Sequence, residues 1–216
     1  KNINNIMLKA LENIYKKLGF DAPKSSSKGG KSEKKEESKE QGEDETTSGL
    51  FRPLIIGAMA KYKHEDVTTE IIKRFHAFMD DEKYDNDEQC PSAIRSIVYV
   101  HAIKNGGEKE FNQLKKYYNT TTEAMEKSMA LRSLGYVKYS DKAIEETLEW
   151  IMSSEEVRSQ DKVFPYRTLA NSGERGRELS WQFLKKRWDD WFKLFEGGFL
   201  VQHLAKIPSG FVTEEK

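Results

Sequence analysis

Residues 173–207 read GERGRELSWQFLKKRWDDWFKLFEGGFLVQHLAKI. Within them Trp181, Leu184, Trp188, Trp191 and Phe195 follow at steps of three and four, the spacing of one face of an α-helix. Lys185, Lys186, Arg187, Asp189, Asp190 and Lys193 fill the opposite side. The pattern predicts one helix over 173–195 that packs its tryptophan face against neighbours. The Gly197-Gly198 pair ends it, and a short helix follows over 198–205.

The same periodicity continues toward the N-terminus. It predicts helices near 50–62, 64–80, 90–104, 107–118, 121–134, 140–152 and 155–170. Residues 3–18 form another, with Ile3, Ile6, Leu11, Ile14 and Leu18 on one side and Gly19 as its stop. Asn105-Gly106-Gly107 and Gly135 punctuate the series, and Thr120-x-x-Glu123 and Ser153-x-x-Glu156 have capping-box spacing. Alternating β-branched runs with tight turn signals are missing, so no sheet is expected. Many short helices on short turns predict an all-α, right-handed solenoid of stacked antiparallel helix pairs, HEAT/armadillo-like, with no sheet.

Residues 21–49 interrupt the pattern. They contain no aromatic residue and no Val, Ile, Leu or Met. Such a segment buries too little apolar surface to offset its ordering entropy, so a disordered, charged insertion is expected. The organisation is therefore a first helix (1–20), the insertion (21–49) and the remaining helical repeats (50–216), one domain in all. A chain that opens inside an apparent helix without methionine reads as a fragment of something longer.

The 216 residues carry 36 basic and 36 acidic side chains, so no net field steers the chain to nucleic acid or to a membrane. Charged residues make up 33%, above the roughly 25% of ordinary soluble domains, which suits an extended helical array. Cys90 is the only cysteine, which excludes an internal disulfide and fits a reducing compartment. No apolar run approaches the ~18 residues of a membrane span.

Chemical motifs fail on inspection. His64-Glu65-Asp66-Val67-Thr68 begins like H-E-x-x-H, but Thr68 stands where the second histidine must bind metal. Gly30-Lys31-Ser32 ends like a phosphate loop, but Ser25 replaces the first glycine and no strand precedes it. His76, His101 and His203 are scattered singly. Cys90 precedes Pro91 at a helix start, where amide dipoles can lower a thiol pKa, though no histidine stands near it in sequence. Lys115-Lys116-Tyr117-Tyr118 is a weak basic-aromatic patch, better read as a solvated helix end.

A collinear series of short motifs carries more. Leu18-Gly19-Phe20, Leu50-Phe51-Arg52-Pro53-Leu54, Arg74-Phe75, Ile94-Arg95-Ser96-Ile97-Val98-Tyr99, Glu155-Glu156-Val157-Arg158-Ser159-Gln160-Asp161 and Gly176-Arg177 with Trp181-Gln182-Phe183 occur in that order. So arranged, they resemble the C-terminal helical domain of the zinc aminopeptidases. The ending Gly197-Gly198-Phe199-Leu200, with Gly210-Phe211 after it, resembles the puromycin-sensitive type rather than the endoplasmic-reticulum relatives. The charged insertion is unlike typical members.

The resemblance implies a non-catalytic domain that walls a cavity over the active site and selects peptides by length. Zinc, the peptide-hydrolysing residues and the Gly-Ala-Met-Glu-Asn motif would lie in the catalytic domain of the same polypeptide. Here Gly57-Ala58-Met59-Ala60-Lys61 only imitates that motif's start, and no metal ligand or cofactor is expected in this chain. Peptide substrates and a cytoplasmic location follow from the same resemblance. Arg158, Arg175 and Arg177 lie at the motifs and are the candidates for holding a peptide carboxylate through a bidentate guanidinium. Arg177 beside Gly176 also suits a purely structural role, pinning a helix start. The other function class left open is a helical-repeat adaptor that binds a partner protein without enzymatic activity.

Overall fold

The computed structural model describes residues 3–21, 38–81, 83–84, 87–196, 198–206 and 210. Among these every regular element is helical: α1 (Ile3–Leu18), α2 (Ser38–Lys61), α3 (Glu65–Met79), α4 (Ser92–Asn105), α5 (Glu108–Thr120), α6 (Ala124–Leu134) and α7 (Asp141–Ser153). A 3-10 turn at Ser159–Asp161 leads into α8 (Val163–Asn171), α9 (Glu174–Lys186), α10 (Trp188–Phe195) and α11 (Val201–Ala205).

Helices pack on their chain neighbours and on the helix two further along. α1 lies on α2, α3 on α4, α5 on α6 and α8 on α9. Across these pairs α2 contacts α4, α4 contacts α6 and α6 contacts α8, while α3 meets α5 and α7 meets α9. One apolar core runs through the series from Ile56 to Leu204, with Phe75, Phe78, Tyr99, Leu114, Leu148, Tyr166 and Trp191 among its fully buried side chains. α1 has no buried residue and leans on this core through half-buried Leu8, Leu11 and Tyr15.

Several boundaries differ from the sequence reading, each for a local reason. α2 begins at Ser38 rather than near Leu50, so part of the charged stretch is helical backbone. Its Glu, Lys and Gln are good helix formers even without apolar residues. Residues 22–37 lie outside the described residues, as does the phosphate-loop look-alike within them. The single helix expected over 173–195 breaks at Arg187, whose φ of −115° and ψ of 25° leave the helical region. The break takes Trp188 off the packing face: it is 44% exposed, while Trp191 is fully buried with its ring 4.8 Å from that of Tyr166. The helix expected over 155–170 is instead a bend over 155–157, the 3-10 turn and α8.

Neither expected capping box forms. Thr120 closes α5, its hydroxyl turned back to the Lys116 carbonyl at 3.0 Å, and Ser153 closes α7 in the same way on Glu149. The helix starts are held elsewhere. Ser140 accepts from the Ala143 amide at 3.1 Å, His64 Nδ1 from the Val67 amide at 3.4 Å, and the Glu110 carboxylate from the Gly107 amide at 2.8 Å.

Two glycines permit close approach of helices. A Cβ on Gly176 would stand 2.5 Å from the Leu169 carbonyl oxygen and 2.6 Å from Ser172 Oγ, so α9 can meet the end of α8 only with glycine there. A Cβ on Gly135 would strike the Pro165 carbonyl oxygen and lie 2.8 Å from Thr168 Cβ.

Candidate functional site

The motif residues prove to be the joints between helices. At the first joint Arg74 sits on α3, nearly buried, and donates from Nη1 and Nη2 to both carboxylate oxygens of Asp21 at 2.8 and 2.7 Å. Its Nε donates to Glu70 at 2.8 Å, and its guanidinium lies 4.3 Å over the Phe20 ring. Gly19, at φ +65°, turns the chain out of α1 so that Phe20 and Asp21 can reach it. Arg52 adds a bond from Nε to the Leu18 carbonyl at 3.2 Å. Three separate motifs thus meet at one contact.

The second joint is deeper. Arg95 of α4 donates from Nε to the Cys90 carbonyl at 3.0 Å and from Nη1 to Glu126 Oε1 at 2.9 Å, and its Nη2 pairs with Asp87. Tyr99 and Tyr117 each donate to Glu126 Oε2 at 3.0 Å. The guanidinium also lies 4.6 Å over Phe78. Arg95 and Glu126 are 9% and 8% exposed, so the pair ties α4, α5 and α6 together in low dielectric with its polar atoms satisfied. Burial, the first cause, and the charge of Glu126 hold the Tyr99 hydroxyl well above the usual phenol range. Tyr117 and Tyr118 are buried, so the Lys115–Tyr118 stretch offers no exposed aromatic pair to stack on a base.

Cys90 belongs to the same joint and is fully buried. Burial pushes its thiol up from 9.0 to about 12, opposite to the lowering expected from a helix start; desolvation outweighs the nearby Arg95 and Arg74. In the folded chain it is therefore an inert thiol. Between pH 9 and about 12 the unfolded thiol loses its proton first, so the folded state binds more protons and stability falls as pH rises. We expect Cys90 to react with a disulfide reagent at pH 8 only as fast as the chain opens. Immediate stoichiometric labelling of folded protein would contradict this.

The three candidate arginines do not converge. Arg158 donates from Nε to Asp161 Oδ2 at 2.7 Å and remains 74% exposed. It lines a cavity of about 240 Å³ with Tyr118, Lys127, Glu156 and Asp161. Arg175 holds Asp141 at the start of α7 through two bonds of 2.9 and 2.7 Å. Arg177, two residues on and so on a different face of α9, is half-buried with its guanidinium stem against Gly210. Arg175 and Arg177 each tie α9 to another segment, whereas Arg158 lines a cavity.

The structure also shows a site that sequence reading missed. Lys61, Lys63, Lys104, Lys138 and His101 line a groove of about 460 Å³ between the end of α2, α4 and the α6–α7 connection. The four lysines are widely spaced in the chain and share no motif. Only Lys61 and Lys63 stand close together, too common a pair to signal anything.

Among the described residues no group of three or more His, Cys, Asp or Glu side chains could hold a metal ion, and no described helix is long and apolar enough to cross a membrane. His64, the residue of the failed metal motif, caps α3 and rests its ring 5.8 Å from Tyr15.

Fold and joints together define an all-helical packing domain whose motif residues bind helix to helix. The chain belongs to the ERAP1-like C-terminal domain family, which matches it over residues 1–216. It is 30% identical over 168 residues to Aminopeptidase M1-B of Oryza sativa subsp. japonica, covering 77% of this chain and 19% of that protein. It is 26% identical over 171 residues to Aminopeptidase M1 of Arabidopsis thaliana, covering 77% and 18%. Aminopeptidase 2, mitochondrial, of Saccharomyces cerevisiae is 27% identical over 175 residues, covering 80% and 18%. The chain thus spans about a fifth of the length of these relatives, and its homology is to the C-terminal region of M1 aminopeptidases.

Proposed function

We propose that this chain is the non-catalytic helical part of a zinc aminopeptidase of the puromycin-sensitive type, forming the cavity wall that binds peptides and selects them by length. The observation that carries the reading is the family match over the whole chain, set against relatives five times longer that are named as aminopeptidases. Zinc and the hydrolytic residues belong to the catalytic domain of the same polypeptide, which is this chain's first partner; peptides are the second. The work is in the cytoplasm. Contacts of α2 with α4, α4 with α6 and α6 with α8 support stacked helix pairs in a HEAT-like solenoid, whose inner row presents side chains along a groove.

Within that wall Arg158 is the best-placed peptide contact, ahead of Arg175 and Arg177. It is exposed, lines a cavity, and its partner Asp161 can yield to an incoming carboxylate. In a polypeptide carrying both regions, Arg158→Ala should raise KM for peptides about three- to tenfold with little change in kcat. Length preference and peptide affinity unchanged in both Arg158→Ala and Arg177→Ala would remove the peptide-binding role and favour an adaptor.

A further inference from the structure

We infer that the lysine-lined groove between the end of α2, α4 and the α6–α7 connection binds a small anion carrying two or more phosphate or carboxylate groups. This site is separate from the peptide contact proposed at Arg158.

The groove is acid-free in a chain whose charges otherwise balance. Lys61, Lys63, Lys104 and Lys138 all line it, no Asp or Glu does, and none of the four forms a salt bridge with a described residue. The Lys104 ammonium instead lies 4.8 Å over the Tyr136 ring. Burial, then the like charges of Lys138 and Lys61, lower the Lys104 pKa, and burial and Lys104 lower that of His101. Lys61, Lys63 and Lys138 are exposed and Lys104 is half-buried, so the repulsion is felt chiefly at Lys104, and an anion entering the groove would relieve it. A single carboxylate would leave most of that charge in place, whereas two or more anionic groups answer it. Ala60, Ile97 and Val100 supply an apolar floor for the ligand body, and Ser96 and Asn105 supply polar edges.

Helix ends account for part of the cluster but not all of it. Lys61 and Lys104 stand in the last turns of α2 and α4, where cations offset the helix dipole. Lys138 lies beyond α6. Lys63 follows α2 in the left-handed region at φ 63°, with its amide on the Ala60 carbonyl at 3.1 Å and the His64 amide on Met59 at 3.0 Å. That is a Schellman ending, and its left-handed position is ordinarily glycine. A lysine accepted there against backbone preference places one more cation at the groove.

Titration of the 216-residue chain with tripolyphosphate and with citrate, followed by calorimetry and by the His101 ring resonances, tests the site. Either anion should bind once per chain, more weakly as salt rises, and should raise the His101 pKa by neutralising Lys104. Lys104→Gln with Lys138→Gln should weaken binding about tenfold or more, while Lys104→Arg with Lys138→Arg should retain it. Lys63→Gly separates folding from binding: its thermal midpoint should rise while its affinity falls. Absence of saturable binding by both anions would overturn the proposal. So would equal binding by the Gln and Arg pairs, or loss of no affinity in Lys63→Gly. An oligoglutamate peptide that binds through these lysines when neither small anion does would overturn it in favour of a protein partner.

Discussion

Arg95→Ala is expected to destabilise the chain by about 3–5 kcal/mol, the largest effect of any single substitution considered. The side chain holds the Cys90 carbonyl, Glu126 and Asp87 at once and covers Phe78. Removing it leaves the Glu126 carboxylate 8% exposed without its countercharge, with only the Tyr99 and Tyr117 hydroxyls to answer it. Arg175→Ala, which breaks the solvent-screened pair with Asp141, is the control and should change stability little. Arg95→Lys should recover little, because one ammonium cannot span three acceptors set around a planar fork. Urea unfolding at constant slope reads the difference. A loss below about 1 kcal/mol for Arg95→Ala would show that the network does not hold the helices together.

Gly176→Ala should cost about 2–3 kcal/mol even though alanine gains about 1 kcal/mol of intrinsic helix preference over glycine. The new methyl would lie 2.5 Å from the Leu169 carbonyl oxygen, a backbone atom that cannot rotate away. Relief requires α9 to lift from α8, which loosens buried Leu179 and Phe183 and the Tyr166 hydroxyl bond to the Ser180 carbonyl at 2.8 Å. Gly57→Ala provides the comparison within the same chain. Its methyl would meet only Ile97 side-chain atoms at 3.6 and 3.8 Å, ordinary contact, so that variant should be neutral or slightly more stable. Thermal unfolding of the two variants side by side separates packing from propensity. Equal midpoints would mean that the α8–α9 approach tolerates the methyl.

Much of the helical series was legible because apolar spacing records burial directly. Arg74, Arg95 and Gly176 stand in the sequence as motif members, and the structure gives their physical reason: each closes a joint that few other residues could. The errors have equally local causes. The tryptophan face reads as continuous from Trp181 to Phe195, yet the backbone turns at Arg187 and α10 seats Trp191 on Tyr166, a tertiary contact that periodicity does not carry. Capping boxes were assigned at Thr120 and Ser153 because hydroxyl-to-carboxylate spacing is the same whether the hydroxyl starts one helix or ends another. The lysine groove was invisible for a different reason. Residues 61, 63, 104 and 138 meet only after α2, α4 and α6 stack.

The most direct test of the central claim compares two proteins: the 216-residue chain alone, and a longer polypeptide that carries it behind a catalytic region. Each is purified, supplied with zinc and assayed on an aminoacyl-anilide. The account predicts hydrolysis by the longer polypeptide and none by the isolated chain. Hydrolysis by the isolated chain, or none by a folded, zinc-loaded longer polypeptide, would contradict it.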